Sequence, residues 1–230
     1  MQDRMRMLDT LKNCSLLKGL DDGEIQEILR CRFAKVRVYE KGDFVFREGA
    51  VPREVLLLVS GEILIGKDTP HGIRMILTEV KVPGELFGEV YTFMECPQYD
   101  MYAEAVRQTT VFSIDQRMFF NTQVHAEALV RALQKNLLGI FAEKAYRMNV
   151  RLRILGGQTL REKIGRFLFE KEGADGRIRL DFTREELADF LHVTRPSLSR
   201  ELSSMAKEGI LRIAGRDIRI CDQDAFESLL

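Results

Sequence analysis

Apolar residues change their spacing three times along this chain. Between residues 8 and 30, Leu8, Leu11, Leu16, Leu17, Leu20, Ile25 and Ile28 recur at helical intervals, which predicts short helices. From Phe33 to Ile114 short apolar or alternating runs are separated by glycine turns. Phe44-Val45-Phe46 leads to Arg47-Glu48-Gly49, and Val55 to Val59 leads to Ser60-Gly61. Glu62 to Ile65, Ile73 to Leu77, the break at Pro83-Gly84, Ala103 to Val106 and Val111 to Ile114 complete the series. Many short strands at regular turn spacing predict an antiparallel roll or barrel.

The third texture runs from Asn121 to Leu155, with no proline and Gly139 as its one glycine. Val130, Leu133, Leu137, Phe141, Ala145, Met148, Leu152 and Leu155 form one stripe on a helix of roughly 45–50 Å. Such a helix can lie on its own domain or form the seam of a parallel dimer. Its length favours the seam, although the spacing is not a strict heptad. Gly156-Gly157 reads as a hinge. Thr159-Leu160-Arg161-Glu162 then restarts the helix with a capping box, and Arg177 to Leu180 reads as a short strand.

Thr183-Arg184-Glu185-Glu186 is a second capping box, opening a helix through Leu191. His192-Val193 turns the chain and Thr194 caps the next helix. Leu187, Ala188 and Leu191 face Leu198, Leu202 and Met205, the pattern of a helix-turn-helix. The turn usually takes glycine, but histidine tolerates positive φ better than most residues. Arg195, Pro196, Ser199 and Arg200 then face outward, and Pro196 is acceptable where first-turn amides have no helical partner. Apolar residues at 211, 213, 218 and 220 around Ala214 to Asp217 predict a hairpin wing.

Composition adds little until it is read locally. With 45% hydrophobic and 30% charged residues, the chain suits a soluble protein with a real core. Its longest aliphatic run, Val55 to Val59, is far too short to span a bilayer, and no signal segment opens it, so no membrane and a cytoplasmic location are expected. Four dispersed cysteines give neither a disulfide scaffold nor a zinc site, and no metal is expected. Net charge is zero, but between Phe190 and Ile220 six Lys/Arg face three acids, a basic bias that phosphate attraction needs. Three scattered histidines and no phosphate-binding glycine loop argue against an enzyme. The fold class is therefore α+β. It comprises a β-roll sensor of jelly-roll type over 1–120, a dimerisation helix and hinge over 121–157, and a winged helix-turn-helix over 158–230.

Arg47-Glu48-Gly49, Ser60-Gly61, Pro83 to Glu89 and above all Thr194-Arg195-Pro196-Ser197-Leu198-Ser199-Arg200 resemble the cyclic-AMP receptor/fumarate-nitrate regulator (Crp/Fnr) family over nearly the whole chain. That resemblance implies a bacterial homodimer on a near-palindromic site in double-stranded DNA, with RNA polymerase as a further partner. It makes Arg195 and Arg200, joined by Ser199, the base readers, and Arg184, Thr194 and Ser197 the phosphate contacts. Pro196 stands where many relatives carry Glu, so the half-site is expected to differ from theirs.

The resemblance also locates an effector pocket at Gly84, Glu85, Phe87 and Tyr102, completed by Met148 and Asn149 on the long helix. Relatives that bind cyclic AMP carry an Arg-Ser or Arg-Thr pair where this chain has Asp100-Met101-Tyr102-Ala103. A phosphate there would lack its cation, so cyclic AMP is not the expected effector. Cys14 and Cys31 alone do not make the cysteine set of an iron–sulfur relative. Haem-based gas sensing is the alternative: Cys96-Pro97 could supply a thiolate, with His71, His125, Met101 or Met148 opposite. Against it stands a plain cysteine beside a turn proline, which is the preferred reading. A small organic effector near Phe87, Tyr91, Phe93 and Tyr102 is the third choice.

Overall fold

A computed structural model describes residues 2–69, 74–94, 98–120, 127–173 and 177–230, with side chains from Met7 onward. Two compact units emerge, Met1–Phe141 and Ala142–Leu230. The first unit begins with helices α1 (Gln2–Asn13) and α2 (Asp22–Arg30) around a 3₁₀ turn at Ser15–Leu17. Asp21 starts α2 with a reciprocal capping box to Glu24.

Eight strands follow: β1 (Ala34–Tyr39), β2 (Phe44–Phe46), β3 (Glu54–Ser60), β4 (Ile63–Asp68), β5 (Arg74–Val80), β6 (Leu86–Phe87), β7 (Tyr102–Ala105) and β8 (Thr109–Asp115). They form two four-stranded sheets, ordered β1-β8-β3-β6 and β2-β7-β4-β5, with every pair antiparallel. A short helix α3 (Glu89–Phe93) and a 3₁₀ turn at Gln116–Phe119 complete the roll.

The period-two alternation of β3 and β8 supplies two cores. Leu56, Leu58 and Val111 point between the sheets to meet Phe46, Ile63, Ile65, Ala103 and Ala105. Val55, Leu57, Phe112 and Ile114 point the other way, under Leu11, Leu16, Leu17, Ile25 and Ile28 of the N-terminal helices. β3 is central and covered on both faces, so it reads as a continuous apolar run. Strand β1, two-residue β6, α3 and the C-terminal helix were not separable by pattern from their neighbours.

Helix α4 spans Glu127–Leu155. Its single sequence stripe divides in the structure. Leu129, Leu133, Leu137 and Ile140 complete the helix-covered core of the first unit, whereas Ala145, Met148 and Leu152 are exposed. The reading of a helix lying on its own domain therefore holds for the N-terminal part of the stripe.

In the second unit, α5 (Leu160–Phe169) precedes β9 (Arg177–Arg179), α6 (Arg184–Phe190), α7 (Arg195–Lys207), β10 (Leu211–Ala214), β11 (Asp217–Ile220) and α8 (Gln223–Glu227). The box at Thr159 is only half formed. Its hydroxyl accepts from the Glu162 amide, but the Glu162 carboxylate reaches one residue further back, to the Gln158 amide. Gly157 owes its identity to close packing: a Cβ there would lie 2.9 Å from the Lys163 nitrogen in the first turn of α5. Thr183 makes the full reciprocal box with Glu186. The sheet order is β10-β11-β9, so the wing has a third strand.

His192 has φ 55°, and is the one non-glycine residue with positive φ among the described residues. Its amide bonds to Asp189 O, and Val193 N reaches Ala188 O, closing the turn between α6 and α7. Left-handed backbone costs a side-chain-bearing residue about 1–2 kcal/mol, most for β-branched ones. Denaturant unfolding should therefore find His192→Gly as stable as wild type or more so, and His192→Val destabilised by about 1–2 kcal/mol relative to the glycine variant. The reverse order would contradict the left-handed turn.

Candidate nucleic-acid interface and the β-roll interior

Helices α6 and α7 are held by apolar contacts that leave one face of α7 bare. Leu187, Ala188, Leu191, Leu198, Leu202 and Met205 are all buried in the core of the second unit. Ala188 presents no bulk where the helices cross. Opposite this seam, Arg195, Pro196, Ser199 and Arg200 are exposed and Ser197 is partly so. The structure thus gathers Thr194, Arg195, Ser197, Ser199 and Arg200 at the N-terminal end of α7, while Arg184 lies on α6.

Local bonds set their geometry. Thr194 Oγ1 accepts from the Ser197 amide at 3.4 Å and lies 2.9 Å from Ser197 Oγ. Arg200 Nη2 donates to Ser197 Oγ at 3.5 Å. Arg195 Nη1 lies 3.5 Å from Glu185 Oε2 of α6, a solvent-exposed pair of small energetic weight. Arg184, in the first turn of α6, behaves differently. Its Nη1 is buried without a hydrogen-bond partner among the described residues, and burial holds its pKa below the usual arginine value.

One residue outside the sequence-derived set fixes the axis of α7. Arg161 of α5 donates through Nη1 and Nη2 to both oxygens of Glu208, at 2.6 and 2.7 Å, and through Nε to Glu201 at 2.6 Å. Ser204 also donates to Glu208. The spacing Glu201, Ser204, Glu208 marks one face of α7, but nothing local to the sequence announces that Arg161 meets it.

The effector residues assigned in the first unit, Gly84, Glu85, Phe87 and Tyr102, have different surroundings. Gly84 packs against Cys14 at the end of α1, with a Cβ position 3.2 Å from that side chain, and its amide bonds to Leu58 O. Glu85 accepts at its carbonyl from Leu58 N. Phe87 is buried between the sheets, whereas Tyr102 points to the other face of its sheet, edge-on to Phe44. Met148 and Asn149 are exposed on α4, in the second unit. Cys96, His71 and His125 lie outside the described residues. Met101 is half-buried beside the inter-sheet core.

The neighbouring Gly88-Glu89 pair is the one the fold singles out. Gly88 turns at φ 70° into α3, and Glu89 is buried at 1% exposure. Tyr99 closes this corner: its ring stacks on Phe46 at 3.9 Å, and a Cβ at Gly88 would touch both rings. Burial pushes the Tyr99 phenol up to about 12. Asp100 is held by Tyr91 and Lys67. Two Gly-Glu pairs four residues apart in sequence could be told apart only by their burial.

Residues 162–229 match the family of the Crp-like helix-turn-helix domain, and residues 36–123 that of the cyclic nucleotide-binding domain. The chain is 24% identical over 193 residues to the CRP-like cAMP-activated global transcriptional regulator of Mycobacterium tuberculosis, covering 81% of this chain and 84% of that one. It is 25% identical over 198 residues to the nitrogen fixation regulation protein FixK of Rhizobium meliloti, covering 84% and 86%. The crystal structure of the Thermus thermophilus catabolite activator protein superposes with a TM-score of 0.50 at 22% identity, covering 94% and 97%. Fold and matches together define a DNA-binding transcription regulator with a β-roll of the cyclic nucleotide-binding type. Within that class the chain belongs to the Crp/Fnr family, whose members regulate transcription and are not enzymes. No described helix is long and apolar enough to cross a membrane.

Hydrogen bonds from Arg161, then Ser204, hold the exposed Glu208 carboxyl at about 2. A lowered carboxylate contributes stability above its ordinary range and loses it as the pH falls towards 2. Arg161→Ala should lower the apparent melting temperature by about 2–5 °C at neutral pH, and this difference should vanish towards pH 2. A difference independent of pH would mean that Arg161 acts through packing instead.

Proposed function

We propose that this protein is a homodimeric bacterial regulator whose two α7 helices read a near-palindromic site in double-stranded DNA. The carrying observation is the exposed Arg195–Ser199–Arg200 end of α7, anchored from behind by Leu198 and Leu202. A guanidinium near the N-terminal end of a helix in the major groove can donate twice to guanine O6 and N7. Arg195 and Arg200 take that role, with Ser199 beside them. Thr194 and Ser197 contact the backbone, as does Arg184 in the first turn of α6. Pro196 changes the half-site relative to relatives with Glu there. The DNA target implies a cytoplasmic protein, with RNA polymerase as its further partner.

Support for the dimer comes from the bare part of α4. Leu138, Ala145, Met148 and Leu152, with the half-buried Phe141 and Leu155 between and after them, fall three and four residues apart in turn, and Leu138, Met148 and Leu152 are 68%, 66% and 62% exposed. An apolar stripe of this length, left open in one chain, fits a parallel partner helix. Leu137, by contrast, is buried in its own unit and belongs to the fold.

The β-roll, on this reading, does not take cyclic AMP. Phe46 and Tyr99 fill the corner beside Gly88, and the chain carries Asp100-Met101 where cyclic-AMP-binding relatives carry the arginine that meets the cyclic phosphate. A small organic effector, if one acts, would tilt α4 and reorient the two readers.

Selection from random duplexes should yield a two-fold symmetric motif. On that motif Arg195→Ala and Arg200→Ala should each cost about 1–3 kcal/mol and relax one base position. Arg184→Ala should instead weaken all sequences alike and reduce the salt slope. Equal losses on selected and random DNA for Arg195→Ala would sink the base-reading assignment. In analytical ultracentrifugation Leu152→Asp should be monomeric where wild type is dimeric; a monomeric wild type ends the seam reading. Calorimetric titration with cyclic AMP should show no saturable heat.

A further inference from the structure

An open cleft in the second unit lies where the last turn of α4 meets α5. Arg153 and Ile154 line it from α4, Arg166, Phe169 and Glu170 from α5 and its C-terminal cap, and Leu230 from the segment after α8. Its volume is about 370 Å³, within the span of about 300–1,000 Å³ usual for small-molecule sites. None of the six residues lies on α6, α7 or the wing.

The lining divides by chemistry. Ile154 is buried, whereas Phe169 and Leu230 are 51% and 41% exposed. The charged part is two guanidinium groups and one carboxylate. Arg153 Nη2 pairs with Glu170 Oε1 at 2.8 Å. Arg166 Nη1 donates at 3.0 Å to Arg153 O, a carbonyl at the end of α4. The Gly157 amide, which a further helical turn would direct to that carbonyl, bonds to Ile154 O instead. Among the described residues this bond is the whole of Arg166's pairing. Its Nε and Nη2 donors stay open, and its charge meets no carboxylate.

We infer that this cleft binds a small organic anion, a single carboxylate carried on a hydrocarbon body. A carboxylate offers two acceptors to a guanidinium fork, and one negative charge balances the excess cation of the lining. The hydrocarbon body covers Phe169 and Leu230, which water now wets. A neutral ligand would displace water from Arg166 without replacing its hydrogen bonds. Inorganic phosphate would satisfy the arginines and leave the apolar lining bare. The ligand spans both sides of Gly156-Gly157 and so ties the joint between α4 and α5. Because Arg161 fixes α7 to α5, tying this joint also fixes how α4 carries α7. On the DNA-binding reading, such a ligand acts on the readers from within the second unit, without the β-roll.

The test is calorimetric titration of the full-length protein with 3-phenylpropionate and with octanoate, up to about 10 mM, and with the neutral 3-phenylpropionamide as control. Each carboxylate should saturate one site per chain, and the amide should not. Arg166→Gln should weaken binding about tenfold or more, and Phe169→Ser should weaken it several-fold. Glu170→Gln, which frees Arg153, should tighten it. Since Arg166 also caps α4, melting temperatures are compared, and Arg166→Lys, which keeps the charge, should retain more affinity than Arg166→Gln. Absence of saturable heat with both carboxylates overturns the inference. So does binding that neither Arg166→Gln nor Phe169→Ser weakens, which places the site elsewhere, or equal affinity for the amide. Saturable binding of inorganic phosphate alone overturns the ligand class. No DNA enters the titration, so failure here leaves the DNA-binding reading standing.

Discussion

One helix has to serve three environments, and its 100° step per residue decides which side chains serve each. Leu129, Leu133, Leu137 and Ile140 of α4 close the core over the first sheet. Val150 and Ile154 pack into the core of the second unit. Leu138, Ala145 and Leu152 lie roughly a third of a turn from the first set and meet neither core. A continuous hydrogen-bonded rod cannot be bent to hide that third stripe without breaking its backbone ladder. The exposed stripe follows from using a single helix in both units, and it is the feature on which the dimeric reading depends.

Sequence pattern made the second unit more readable than the first because its signals are local. The Thr183–Glu186 box, the Thr194 cap, the αL histidine and the alternation in the wing each lie within a few residues of their partners. Fold class, the helix-turn-helix and the grouping of Arg195, Ser199 and Arg200 could therefore be read directly. The β-roll depends on pairing between residues far apart. Strand β1 reaches β8 across 70 to 80 residues, as in Lys35 opposite Ser113, and two-residue β6 exists only because Leu56 and Leu57 lie beside it.

The effector residues show the same limit more sharply. Gly84-Glu85 and Gly88-Glu89 are alike as strings, but one pair lies against Cys14 and the other turns into α3 with its carboxylate buried. Tyr102 alternates away from Phe87, an outcome that strand parity settles only once the register is known. Arg161 was invisible for a related reason. Its carboxylate partners are forty and forty-seven positions away, and no periodicity connects α5 to α7.

The clamp made by Arg161 leaves α7 with two unlike ends. Its C-terminal half is riveted to α5 through Glu201 and Glu208, whereas among the described residues the polar bonds of its N-terminal end are the threonine cap, an exposed pair to Glu185 and the Arg200–Ser197 contact. The shaft is fixed and the tip is free to be rewritten. On the proposed reading of DNA by α7, a lineage carrying this scaffold could change which promoters it answers to by exchanging a few tip residues, without refitting the body that aims them.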